Sequence, residues 1–222
     1  MSEVCAAIIV AAGAGVRMRG ADKLFSVVAG RPLLAHTVAA FESCEPIDRV
    51  VLVVSRANLK RGRSLVAEEG FSKVVTVCTG GSRRQDSVKC GLAALDPCDW
   101  VAVHDGGRPL VRPGMIARAL EAARETGAAV PVLPLADTIK EIDEEGAITR
   151  TLDRSRLVAV QTPQVFRYDL LVRAHDEVAG DVTDDAAMVE SLGSPVATFE
   201  GSNRNVKITT AEDLMLAEAY LH

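Results

Sequence analysis

The chain reads as an α/β protein, a mostly parallel twisted sheet flanked by helices, and three observations carry that reading. Apolar runs of strand length alternate with stretches of helical periodicity as far as about residue 134, the order that right-handed β-α-β units produce. The runs are continuously apolar, as strands covered on both faces should be. Three of the strands end in polar loops that carry glycine: one after residue 10, one over residues 79–87 and one over residues 104–109. Parallel strands bring such loops to one rim, outside their carboxyl ends, where folds of this kind bind ligands.

The first strand, residues 4–10, contains Ile8, Ile9 and Val10 and feeds a connection of about twenty residues, far above the usual ~2–6. Connections that long are commonly functional, and here Arg17 and Lys23 accompany the glycines. Gly13-Ala14-Gly15-Val16-Arg17-Met18 begins like a dinucleotide fingerprint, but Met18 occupies the place of the third glycine. Gly15 and Gly20 have the spacing of a P-loop, yet Ala21 and Asp22 follow where Lys and Ser or Thr are required. A third kind of phosphate loop remains, with backbone N–H groups bared by glycine and two cations facing a polyphosphate; the plain alternative is a surface loop with solvated cations.

Residues 32–41 follow as a helix with Pro32 at its first position. Strand 50–54, helix 58–69, strand 71–78, helix 88–95, strand 100–103 and helix 113–125 come next, the last stopped at Gly127. After strand 128–134 the rhythm breaks, and residues 135–142 and 148–152 alternate around Asp143-Glu144-Glu145-Gly146 as a hairpin. Neither face of it is apolar enough for a core, so it is expected to pack on something else, a second subunit being one candidate. Helices 165–179 and 184–192, strand 195–199 and a short extended piece at 205–208 precede a last helix through residue 221, opened by the capping-box pattern Thr209-Thr210-Ala211-Glu212.

At 222 residues and 23.5 kDa, residues 1–222 fit one domain. A net charge of −5 gives the whole chain no attraction for nucleic acid or anionic membrane, so an anionic ligand must be held by a local cluster. No apolar run approaches the ~18 residues of a membrane helix, and no basic leader precedes the first strand. Cys5, Cys44, Cys78, Cys90 and Cys98 are scattered without a Cys-x-x-Cys pair, which suits a reducing, cytoplasmic setting.

Among single residues, Asp105 stands at a strand end, where a carboxylate can bind Mg²⁺ or a sugar hydroxyl, and Arg108 can hold a phosphate. The alternative is a turn in which Asp105 satisfies backbone donors. His104 could serve as a general base, but a histidine at a strand end is more often a satisfied structural group. Asp184 and Asp185 could pair on a metal, and fit better at a helix N-terminus. Lys207, between Val206 and Ile208, points away from two apolar neighbours and can reach the rim.

Taken in order, AAGAGVRMRGADKLF, GGSRRQDSV, VHDGGRP, the DTIK to LDR region, QTPQVF, VTDDAAMVE and NVKITTAEDL resemble the 2-C-methyl-D-erythritol 4-phosphate cytidylyltransferases of the non-mevalonate isoprenoid pathway. The resemblance implies a nucleotidyltransferase, Rossmann-like fold with a protruding β-arm at about residues 135–157 that forms a homodimer. It implies transfer of cytidylyl from CTP to the polyol phosphate with release of pyrophosphate, and Mg²⁺ bound mainly through the CTP phosphates. By the same resemblance Arg17 and Lys23 are catalytic, and Ala11, Ala12, Gly13, Gly15, Gly81, Ser82, Ser87 and Gly106 bind CTP. Asp105, Arg108, Thr138, Arg154, Thr162 and Lys207 surround the acceptor, some of them contributed by the partner subunit. The chain departs from the family pattern in a shorter spacing from Arg17 to Lys23, in Leu24-Phe25 and in Gly106-Gly107. Two rivals stand beside this reading: a ribitol-5-phosphate cytidylyltransferase, and a nucleotide-binding module without catalysis, which would need neither Lys23 nor the acceptor cations.

Overall fold

In the computed structural model, which describes residues 3–13 and 23–221, β1 (Cys5–Ala11) lies in the middle of the main sheet. A small hairpin, β2 (Val27–Val28) with β3 (Arg31–Pro32), leads into α1 (Leu33–Glu42). The α/β alternation then runs through β4 (Arg49–Val54), α2 (Leu59–Glu69), β5 (Val74–Thr79), α3 (Arg84–Ala93), β6 (Trp100–Asp105), α4 (Pro113–Thr126) and β7 (Ala128–Pro134). Beyond it lie a separate hairpin, β8 (Lys140–Ile142) with β9 (Ile148–Thr151), then β10 (Val158–Val160), β11 (Gln164–Arg167), α5 (Tyr168–Glu177), α6 (Asp185–Ser191), β12 (Ala197–Glu200) and α7 (Ala211–Leu221).

β1 pairs in parallel with β4 on one side and β6 on the other, and β5 continues beyond β4. The other half of the sheet is mixed. Ala129 of β7 faces Val165 of β11 and Ala197 of β12, and Val132 faces Val160 of β10 and Glu200 of β12. β10 and β11 therefore share one edge of β7 as an interrupted antiparallel strand wedged against β6, and β12 takes the other edge. The interruption, Gln161-Thr162-Pro163 with a cis Thr162–Pro163 bond, falls beside the end of β6.

Alternation along β1 divides the core into two layers. Cys5, Ala7, Ile9 and Ala11 pack with residues of α1, α2, α4 and α7, whereas Ala6 and Ile8 pack with residues of α3, α5 and α6. β4 divides in the same way, Val50, Leu52 and Val54 against Val51 and Val53. Both faces are covered, which is why these strands are continuously apolar over residues 5–11 and 50–54.

Several expected boundaries move. The helix expected over residues 165–179 begins only at Tyr168, because Val165 and Phe166, both fully buried, belong to β11. A short apolar run carries no periodicity that separates strand from helix, and pairing with β6 and β7 decides it. Arg84 starts α3 four residues before the expected helix, shortening the second glycine loop. Pro32 is the N-cap of α1 instead of its first helical residue. The last helix is capped one residue later than the pattern suggests. Asp213, not Glu212, accepts from Thr209 N and Thr210 N, while Asp213 N donates to Thr210 Oγ1. Gly127 ends α4 as expected, in the left-handed conformation with φ 86°.

Candidate active site

The three glycine loops meet. A Cβ placed on Gly80 would lie 2.5 Å from both Ala12 Cβ and Ser87 Oγ, and one on Gly106 would lie 2.9 Å from Ala11 Cβ. Only glycine permits these approaches, so Gly80 packs the β5 loop onto the β1 loop, and Gly106 packs the β6 loop onto the end of β1. Of the residues expected to bind CTP, Ala11, Ala12, Ser87 and Gly106 are thereby assembled. Gly13 is exposed, and Gly15 and Arg17 lie outside the described residues. Ser87 is buried and its hydroxyl donates to Arg83 O at 3.0 Å; exposed Ser82 donates to Asp86 at 3.1 Å. Gly81 precedes Ser82 in this exposed turn.

Asp105, at the end of β6, is the electrostatic centre of the rim. Its Oδ1 lies 3.2 Å from Arg84 Nε, and its Oδ2 lies 2.9 Å from Lys207 Nζ and 3.5 Å from Arg108 Nε. Burial alone would raise its pKa; Arg84, Lys207 and Arg108 outweigh that and hold the carboxyl well below the usual range, so it stays ionised. Arg108 in turn donates to Asn205 O at 2.7 Å, and Asn205 Nδ2 donates to Thr162 O at 2.8 Å. The 205–208 segment forms no strand. It is stitched to the rim by these bonds and by Ile208 N donating to Gly107 O at 2.8 Å. Lys23 reaches the same place, its ammonium donating to Ile208 O at 2.6 Å.

His104 resolves as the structural alternative. It is fully buried, tilted against Phe41 with ring centroids 5.1 Å apart, and its Nε2 faces Arg108 O at 3.3 Å. A carbonyl only accepts, so Nε2 carries the proton and Nδ1 accepts from Thr162 Oγ1 at 3.0 Å. Thr162 Oγ1 also accepts from Asp105 N at 3.1 Å. Burial pushes the His104 pKa down to about 4, leaving a neutral ring that holds Thr162 and, through it, the Asp105 backbone.

Thr138 and Arg154 are not brought to this cluster. Both are exposed beside the β8–β9 hairpin, where Arg154 donates to Ala136 O, and neither forms a hydrogen bond or ion pair with the cluster among the described residues. Asp184 caps α6, its Oδ1 accepting from Ala187 N at 3.0 Å, which is the favoured of its two readings. Asp185 is different: it is fully buried, 2.6 Å from Arg84 Nη1 and 3.2 Å from His175 Nε2. The sequence does not single out Arg84, His175 and Asn205, although Arg84 and Asn205 fall inside the motifs that carry the family resemblance; Asp185 reads from sequence only as a metal ligand or a helix cap, not as an anchor for an arginine. As a metal ligand Asp105 fits poorly, since three cations already surround its two oxygens. No cluster of three His, Cys, Asp or Glu side chains suited to an ion occurs among the described residues.

A mixed, mostly parallel sheet whose glycine loops and cations converge at one rim defines a nucleotide-handling transferase of the nucleotidyltransferase class. Residues 5–222 match the family model of 2-C-methyl-D-erythritol 4-phosphate cytidylyltransferase, and the chain belongs to that family of cytidylyltransferases in isoprenoid biosynthesis. It is 49% identical over 221 residues to the enzyme of that name from Dehalococcoides mccartyi, covering 100% of this chain and 97% of the relative. The enzyme of that name from Geobacillus kaustophilus is 45% identical over 219 residues, covering 97% and 96%. Among solved structures, the Thermus thermophilus cytidylyltransferase is similar with a TM-score of 0.79 at 38% identity, covering 99% of each chain. The 4-diphosphocytidyl-2C-methyl-D-erythritol synthase of Anaerococcus prevotii is similar with a TM-score of 0.87 at 29% identity, covering 99% and 98%. None of these relatives or neighbours is a ribitol-phosphate enzyme, so that rival is not favoured.

Proposed function

We propose that the rim around Asp105 is where a phosphate oxygen of 2-C-methyl-D-erythritol 4-phosphate attacks the α-phosphorus of CTP. The new P–O bond gives 4-diphosphocytidyl-2-C-methyl-D-erythritol, and the bond to the β-phosphate breaks to release pyrophosphate. The attacking oxygen is already anionic, so no base is needed; the obstacle is bringing two anions together. Lys23, placed beside the 205–208 segment, and Arg17 on the same loop neutralise charge on the α-phosphate and the leaving group. Lys207 and Arg108 flank Asp105 and hold the acceptor, with Thr162 fixing the backbone between them. The observation that carries this assignment is the meeting of the β1, β5 and β6 loops at a carboxylate ringed by cations.

Mg²⁺ is assigned to the CTP phosphates instead of to a protein donor set, and when bound it supplies further charge neutralisation there. Thr138 and Arg154 belong to an arm, about residues 135–157, that completes the acceptor site of a partner subunit in a homodimer. Exposed Ile142, Ile148, Val158 and Val160 on and beside the arm give it an apolar surface to bury. A cytoplasmic location is inferred from five free cysteines scattered without a Cys-x-x-Cys pair, which suit a reducing compartment; among the described residues no helix is long and apolar enough to cross a membrane.

The test is pyrophosphate release with CTP and each of two acceptors, methylerythritol 4-phosphate and ribitol 5-phosphate. Release with the first and little with the second is expected; release with ribitol 5-phosphate alone would overturn the acceptor assignment.

A further inference from the structure

The loop reading explains Lys23, Lys207 and the glycines, but leaves a buried bridge unused. Arg84 opens α3 directly after the cytidine-side loop, and its guanidinium spans two carboxylates, Asp105 Oδ1 through Nε at 3.2 Å and Asp185 Oδ2 through Nη1 at 2.6 Å. Asp185 is wholly enclosed, and its other oxygen lies 3.2 Å from His175 Nε2. The far end of the bridge is thus a fixed anchor in the packing of α5 and α6, while the near end is the carboxylate that Lys207 and Arg108 share.

We infer that Arg84, anchored by Asp185, is a positioning residue that occupies one oxygen of Asp105 and so leaves the Lys207 ammonium able to engage the acceptor phosphate. The reasoning is a competition for charge. Asp105 has two oxygens and three cationic neighbours. Lys207 is the most exposed of the three, its side chain 46% accessible against 25% for Arg84 and 12% for Arg108, so it is the one free to exchange partners. With Arg84 present, Asp105 is already neutralised from its buried side, and Lys207 gives up little when it turns to a phosphate. Without Arg84, the buried carboxylate has fewer partners and holds Lys207 harder. The bridge also ties the β5 loop, on the nucleotide side, to the β6 loop, on the acceptor side. A lysine cannot replace it, since one ammonium does not span two carboxylates as a planar guanidinium does.

The inference rests on Lys207 as an acceptor group, and a double-variant cycle separates the two claims. Arg84→Gln, Lys207→Ala and the double variant would be compared by steady-state kinetics at a temperature where each is folded by circular dichroism. Arg84→Gln is expected to raise KM for methylerythritol 4-phosphate about tenfold, the loss of one charge-assisted bond, with KM for CTP changed less than twofold. In the Lys207→Ala background the same change should add little, because its target is gone. Arg84→Lys and Asp185→Asn are expected to move KM in the same direction by less, and they carry the test if Arg84→Gln does not fold. Equal rises in both KM values, or full additivity with Lys207→Ala, would mean a merely structural bridge and overturn the inference. If Lys207→Ala alone left the acceptor KM unchanged, the reading of Lys207 itself would fall, and the inference with it.

Discussion

Gly80 shows how much one missing methyl group decides. Its added Cβ would stand 2.5 Å from Ala12 Cβ and from Ser87 Oγ, neither of which can retreat, since one is in the β1 loop and the other is buried in α3. Gly80→Val is therefore expected to push the β5 loop off the β1 loop and raise KM for CTP at least about tenfold. Unchanged nucleotide affinity, measured by calorimetry with CTP, would show that the loop contact is not part of the nucleotide site. His104 makes a second prediction, about pH. Its pKa in the folded chain, about 4, lies below the ordinary 6.5, so the unfolded chain takes up this proton first. Its contribution is complete above about pH 6.5 and lost progressively as pH falls toward 4, by up to roughly 3 kcal/mol. Asp105 and Asp185, with pKa values held below 3.8, lose their contributions in a lower window. Urea midpoints between pH 7.5 and 4.5 should fall with pH in the native chain and fall less in His104→Gln. An equal slope in both would remove His104 from the account.

Among the elements, the parallel half of the sheet was legible because β1, β4 and β6 are buried on both faces and carry continuous apolar runs, broken only at strand ends by Arg49 and by His104 and Asp105. The glycine loops were legible for the same local reason, since close approach demands the residue type. The β10–β11 strand was not, because QVFRYDLLV offers helical spacing and only the partners Ala102 and Ala129, far away in sequence, make Val165 extended. The Arg84 bridge was hidden likewise, its partners lying 21 and 101 residues away. Spacing within a segment carries no record of which distant carboxylate a guanidinium meets. The β8–β9 hairpin was legible as a hairpin, and its exposed apolar residues Ile142 and Ile148 turn it into a prediction. Ile142→Asp with Ile148→Asp should shift the chain from dimer to monomer in sedimentation and lower turnover more than nucleotide affinity. A wild-type chain that sediments as a monomer at micromolar concentration would contradict the arm.

For the molecule as a whole, a net charge of −5 coexists with a rim that gathers Lys23, Arg84, Arg108 and Lys207. An acidic chain can hold two phosphorylated substrates because the fold concentrates its cations where three loops end, where two buried carboxylates, Asp105 and Asp185, hold Arg84, Arg108 and Lys207. The 205–208 segment does part of this by carrying Lys207 across to β6 and giving Lys23 its partner carbonyl at Ile208. The proposed mechanism assigns Lys23 to the α-phosphate. The most direct measurement is single-turnover pyrophosphate release by Lys23→Ala with CTP and methylerythritol 4-phosphate, alongside CTP binding by calorimetry. Loss of at least ~10²-fold in rate with CTP binding largely retained is the expected result; near-normal turnover would contradict the assignment of this rim as the site of cytidylyl transfer.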